Sequence, residues 1–150
     1  MANETQDEIK PDGKDQEFLQ ERYVEMQLIE KQVHQLRQRL QIVEGEIQEV
    51  RSNSVALDEM SKVKPGEELM IPLANGIFMR GTVKETEKLL VGVGASIVVE
   101  KDIPSTKNIL DQRLQTLEKY HKEVLQGIMT LDERGRGLEK EMRIVIEKYQ

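Results

Sequence analysis

Apolar side chains recur along this chain in two tracts of equal length, separated by a stretch with a different period. In the first tract, positions 19, 22, 26, 29, 33, 36, 40, 43, 47, 50, 54 and 57 advance by alternating steps of three and four. Ten of these twelve are apolar, the exceptions being Arg22 and Ser54. The second tract keeps the same rhythm at 110, 114, 117, 121, 124, 128, 131, 135, 138, 142, 145 and 149, interrupted by His121 and Gly135. A sustained spacing of 3.5 residues predicts supercoiled helices that bury a narrow seam, not ordinary globular helices.

Between the tracts the period drops to two. Leu69, Ile71 and Leu73 alternate with Met70 and Pro72, and Ala74-Asn75-Gly76 supplies a turn whose Asn-Gly pair tolerates positive φ. Ile77 to Lys84 reads as the returning strand. Lys88 to Val93 and Ile97 to Lys101 form a second pair around Gly94-Ala95-Ser96. Glu85-Thr86-Glu87 joins the pairs and is too short for a helix.

These readings divide the chain into four segments: a disordered tail over 1–14, a coiled-coil helix over 15–62, a β-hairpin segment over 63–103 and a second coiled-coil helix over 104–150. Pro65-Gly66 stops the first helix, and Pro104 sits in the first turn of the second, where its missing N–H costs little. At about 1.5 Å per residue, each helix extends roughly 65–70 Å and must bury its stripe against a partner. The other helix is the simplest one. The expected fold class is α+β: a long antiparallel intramolecular coiled coil with two β-hairpins between the helices. In the expected register the numbers of facing residues total 164, so Met26 meets Leu138, Ile29 meets Gly135 and Arg22 meets Met142.

The hairpin segment carries large apolar groups on both faces, and about 36 residues cannot bury two such faces alone. Leu69, Ile71, Leu73, Ile77, Phe78, Met79, Leu89, Leu90, Val91, Val93, Ile97, Val98 and Val99 are therefore the expected subunit-assembly surface.

Composition narrows the picture further. Charged residues make up 33% of the chain and aromatic residues 3%, with no tryptophan, a balance that fits coiled coil better than a compact core. The net charge of −6 mixes both signs and gives no basic face for nucleic acid. Cysteine is absent, which excludes disulfide and thiol chemistry and suits a reducing compartment. No apolar run approaches the roughly 20 residues that span a bilayer, and residues 1–15 are polar and acidic, unlike a signal peptide. A cytoplasmic protein is the expectation. With two histidines and no cysteine there is no nucleophile–base pair or metal-ligand set, so no enzyme, cofactor or metal is expected. Gly92-Val93-Gly94 lacks the third glycine and the following helix of a dinucleotide loop. His121, on the seam, reads as a residue that sets register or partner, and His34 as a solvated side chain just off it.

Helix, two hairpins, helix resembles the plan of the prefoldin alpha subunit family. The resemblance rests on IPLANGIFMRG (71–81), with Pro72, Gly76, Phe78 and Gly81 in place, and on LLVGVGASIVVEK (89–101), with Val91, Val93, Gly94, Val99 and Glu100. It departs from the family pattern at Ala74 and Ser96, where glycine is common. The resemblance implies a chaperone subunit that works without ATP. Two alpha-type and four beta-type subunits would join through their strands into a β-barrel platform bearing six coiled coils. Unfolded client proteins would be held near the coiled-coil ends and passed to a group II chaperonin. Two hairpins match the alpha type, since the beta type carries one.

Client holding needs apolar surface that the seam does not consume. The candidates at the helix ends are off-seam Phe18, Tyr23, Leu28, Ile144 and Ile146, with terminal seam residues Leu19, Met26, Met142, Val145 and Tyr149, which fraying would expose. The same residues could instead widen the seam. Gly127, Gly135 and Gly137 interrupt the second helix and either loosen it for varied clients or are tolerated in it. The alternative function is a coiled-coil scaffold or adaptor, oligomerised through its β segment and binding fixed partners.

Overall fold

The computed structural model describes residues 11–149. Its elements are helix α1 (Gly13–Met60), strands β1 (Glu68–Ala74), β2 (Ile77–Thr82), β3 (Lys88–Gly94) and β4 (Ile97–Asp102), and helix α2 (Ile103–Ile146), followed by a short 3-10 turn at Glu147–Tyr149. The fold class is the expected one: two long helices flank two antiparallel hairpins. Residues 1–10 of the expected disordered tail lie outside the described residues, while Gly13 and Lys14 already belong to α1. The helix starts this early because the Asp12 carboxylate accepts a hydrogen bond from the Asp15 amide at 2.8 Å, capping the first turn after Pro11. At the other boundary, Asp102 accepts the Ser105 amide at 2.7 Å and opens α2 in the same way, with Pro104 inside its first turn.

The chain divides into two compact units. One is a helix-terminal unit, residues 11–42 with 121–149 of the described chain, and the other a hairpin unit, residues 43–120. In the helix-terminal unit Ile29, Val33, Val124, Ile128 and Leu138 form a buried cluster, with Met26, Leu36, Leu40 and Leu131 packed against it. Leu138 is wholly buried. A Cβ on Gly135 would meet Ile29 Cγ2 at 3.9 Å, so this pair faces across the seam as the expected register requires. Ion pairs flank the seam, Glu25 with Arg134 at 2.8 Å and Arg37 with Asp132 at 3.8 Å. In the hairpin unit Val43, Ile47 and Val50 are buried, and Arg51–Glu118, Glu46–Arg113 and Asp58–Lys107 bridge the helices. Exposed pairs of this kind contribute little; the seam carries the stability.

The two hairpins share a design. In the first, Leu69 pairs with Gly81, Ile71 with Met79 and Pro72 with Phe78, and a bulge leaves Leu73 without a partner. In the second, Val91 pairs with Val99 and Gly92 with Val98, and a bulge leaves Val93 without one. The turns differ. Asn75 does not take the positive φ that the Asn-Gly pair tolerates; Gly76 alone does, at 75°. In the second turn Ala95 and Ser96 adopt φ of 48° and 60° after Gly94 at 104°. Two successive positive values are the mark of a type I′ turn, whose twist matches the flanking strands and overrides residue preference.

Candidate interaction surfaces

The hairpins carry most of the exposed large apolar side chains of the hairpin unit. Alternation places Leu69, Ile71, Met79 and Gly81 on one face of the first hairpin and Met70, Pro72, Phe78 and Arg80 on the other. Leu69 is half-buried, whereas Ile71, Leu73, Ile77, Phe78 and Met79 are exposed. A Cβ on Gly81 would lie 2.7 Å from Ile71 Cδ1, so the end of the isoleucine side chain lies over the bare backbone and would have to turn aside. In the second hairpin Leu89, Val91 and Val99 are half-buried on one face. The opposite face, with Leu90 and Val98, is open, as are Val93 and Ile97 near the turn, and Leu90 is 76% exposed. Met70, 73% exposed on the Phe78 face of the first hairpin, was missed by sequence reasoning; its place between Leu69 and Ile71 is the signal that identifies this second face.

The helix-end candidates fall into four groups. Met26, Met142 and Ile146 line one groove together with Glu139, Arg143 and Glu147. Leu28 lines another with Val24, which is half exposed and was also missed, although it stands four residues before Leu28 on the same helix face. Tyr23 and Ile144 are exposed but line neither groove. The remaining candidates are engaged. Val145 is buried in the seam, Leu19 is half-buried, and Phe18 lies under the Arg22 guanidinium, 5.0 Å from its ring centre. Tyr149 donates a hydrogen bond to Asp15 at 2.6 Å and accepts one from the Asp12 amide at 3.3 Å. The bond to Asp15 raises the pKa of its phenol, because losing that proton would set two anions side by side. Tyr149 thus fastens the end of α2 to the start of α1.

Arg22, the cation on the seam, also reaches Glu25 at 2.8 Å and Glu141 at 3.8 Å, and Arg134 bonds both Glu25 and Glu141. The Arg134 hydrogen bond, reinforced by the nearby Arg22 charge, holds the Glu25 carboxyl below its usual pKa. Asp58 and Asp102 are lowered too, by Lys107 and by Ser105 respectively. His34 is exposed and lies 3.2 Å from Gln38, while His121 is half-buried. Among the described residues no group of three or more His, Cys, Asp or Glu side chains is placed to hold a metal ion. Nor is any described helix long and apolar enough to cross a membrane.

The arrangement is built for contacts. Comparison with known proteins decides its family: the prefoldin subunit model matches residues 29–148. The chain belongs to the prefoldin subunit family. This is a family of chaperone subunits. The chain is similar to prefoldin subunit alpha of Thermofilum pendens, with 29% identity over 73% of this chain and 84% of that protein. It is similar to prefoldin subunit alpha of Methanococcus aeolicus at 27% identity over 89% of both chains. Prefoldin subunit alpha 1 of Methanocaldococcus jannaschii shares 30% identity over 75% of this chain and 82% of its own. A filamentous PFD from Methanocaldococcus jannaschii, solved by cryo-EM, shares the fold with a TM-score of 0.69 at 18% identity, covering 78% of this chain and 97% of that one. All three sequence relatives are alpha subunits, in keeping with the two hairpins of this prefoldin chain.

Proposed function

We propose that this prefoldin subunit joins beta-type subunits through its hairpins in a cytoplasmic hexamer of two alpha and four beta chains. The complex holds unfolded proteins at the coiled-coil ends without ATP and delivers them to a group II chaperonin. The observation that carries the reading is the open apolar surface of the hairpins, above all Leu90 and Met70 at 76% and 73% exposure. Two-stranded sheets with both faces apolar are marginal in water and need a covering partner. The assembly surface is the thirteen-residue set from Leu69 to Val99 named from the sequence, extended by Met70. For client holding, the support is the exposed Tyr23, Leu28, Ile144 and Ile146 and the groove holding Met26 and Met142, all in the helix-terminal unit. Phe18, Leu19, Val145 and Tyr149 contribute when the terminal turns open.

Mixing the chain with a beta-type prefoldin subunit and recording native mass spectra tests assembly. Adding several unrelated denatured proteins without nucleotide tests holding, since a scaffold for fixed partners delays the aggregation of none of them. Removing residues 1–28 and 140–150 should abolish the delay and leave the assembly mass intact apart from the deletions. Undiminished suppression of aggregation by the truncated complex refutes holding at the helix ends.

A further inference from the structure

The outer face of α1 in the helix-terminal unit has a chemistry that selects its partner. Val24 and Leu28, one helical turn apart, are 50% and 56% exposed. They line a shallow groove whose remaining members are Glu17, Gln20, Glu21 and Glu25, so its rim holds three carboxylates and no cation. Two arginines beside it pair with Glu25, which leaves Glu17 and Glu21 to carry most of the rim's charge. Arg22 is stacked on Phe18 and paired with Glu25 and Glu141, and Arg134 bonds Glu25 and Glu141. Arg22 reaches Glu21 only at 3.9 Å, and Glu17 has no ion-pair partner among the described residues. The sign bias belongs to this helix: residues 12–30 carry six carboxylates against Lys14 and Arg22, whereas residues 132–149 carry five acidic and five basic side chains.

We propose that this strip, Val24 and Leu28 within the rim of Glu17, Glu21 and Glu25, binds extended polypeptide segments in which apolar side chains are flanked by lysine or arginine. The inference rests on the reading that the helix ends hold unfolded clients and names the class of client segment they favour. An apolar floor rewards burial of a client's leucine or phenylalanine whatever its sequence. The rim discriminates, because carboxylates spaced within about one Debye length act together on a cation and repel an anion. Charge also argues against the other occupants. A second copy meeting this face across a twofold axis sets Glu17 and Glu21 against their own counterparts, and nucleic acid or an anionic membrane is repelled by the same charges.

The full-length chain tests this with three fluorescein-labelled, unstructured twelve-residue peptides. They share the same leucine and phenylalanine positions and differ only in flanking lysine, serine or glutamate. Anisotropy titration at low salt should show the lysine peptide binding about tenfold more tightly than the serine peptide, with the gap closing as salt shortens the Debye length. Glu17→Gln with Glu21→Gln should remove the gap. Val24→Ser with Leu28→Ser should weaken the lysine peptide about tenfold while circular dichroism shows unchanged helix, since both side chains are exposed. Equal affinity for lysine and serine peptides, or wild-type binding by both double variants, overturns the proposal. So does self-association that the Val24/Leu28 variant abolishes, which assigns the strip to a second copy. Aggregation assays on the same preparations separate the two ideas. Suppression with no peptide selectivity sinks the strip alone, and selectivity without suppression sinks the holding reading alone.

Discussion

Replacing Gly127, Gly135 and Gly137 with alanine should stabilise the helix-terminal unit, and the structure sets the size of the effect. None of the three is among the glycines with positive φ, which are Gly66, Gly76 and Gly94, so alanine meets no backbone strain. A Cβ at 137 enters open space, at 135 it meets Ile29 Cγ2 at 3.9 Å, and at 127 it meets Leu36 Cδ1 at 3.4 Å, the end of a flexible side chain. Each replacement therefore recovers close to the full helix-propensity difference of about 0.8–1.0 kcal/mol. Together they reach about 2.5–3 kcal/mol, which is roughly a hundredfold slower exchange for amides that open with this unit. Hydrogen exchange by mass spectrometry over residues 121–149 measures it directly. Protection that is unchanged or lower refutes the reasoning and means that the glycines relieve a clash. If the glycines matter because they let the helix adapt, the stiffened variant also holds a narrower range of denatured proteins.

Seam and surface should separate by mutation: Leu138→Ala removes a wholly buried side chain and should cost about 2–5 kcal/mol in urea unfolding, against about 0.5 kcal/mol or less for Leu28→Ser on the exposed face. Acid should destabilise the fold. Glu25, Asp58 and Asp102 have folded-state pKa values below their ordinary ones, so their contribution is complete above the unfolded carboxylate range near pH 4 and is lost as pH falls through the lowered values. The urea midpoint should therefore drop as pH falls below the unfolded carboxylate range, less steeply in Asp58→Asn, and an identical slope in that variant counts against the Lys107 pair. Ala95→Asn with Ser96→Gly should stabilise the second hairpin by about 1–2 kcal/mol, because both residues hold positive φ; slower amide exchange over residues 88–102 is the readout. Leu90→Lys should leave the helix content of the lone chain unchanged and abolish complex formation with a beta-type subunit in native mass spectra, since a lysine buried at the interface has no counter-charge.

Legibility in the sequence followed the strength of the local rule. All nine apolar residues that are buried among the described residues, from Ile29 and Val33 to Leu138 and Val145, lie on the two heptad tracks, because the 3.5-residue spacing leaves only one stripe to bury. The start of α1 is hard to see because Pro11 and Gly13 are poor helix formers, while Asp12 between them caps the helix. Turn geometry was harder. Asn75 was the obvious candidate for positive φ, yet Ala95 and Ser96 adopt it, although both hairpins carry a bulge at the same place before the turn. Among the helix-end candidates, the seam track distinguishes Val145 from Ile144. Whether Phe18 is open depends on Arg22 folding over it, a contact no periodicity encodes. Val24 was missed for the converse reason: it lies off both tracks, and only its groove with Leu28 gives it meaning.

Leu138 and Leu90 show what separates the two halves of the design. The same side chain is 0% exposed on the seam and 76% exposed on β3. The difference lies in whether the chain supplies its own partner. In the helix-terminal unit, α1 and α2 bring complementary stripes, so Ile29, Val33, Val124 and Ile128 close around Leu138 within one molecule. In the hairpin unit each sheet stops at two strands, and alternation along β3 turns Leu89 and Val91 one way and Leu90 the other, so the chain half-covers one face and leaves the second open. A third strand would satisfy the free backbone edge and a layer packed on the sheet would cover that face, and among the described residues no further strand is left to supply the first. An isolated two-stranded sheet gains little stability of its own. The open hairpin face is therefore left for a partner to cover, whereas the helix-terminal seam closes within one chain.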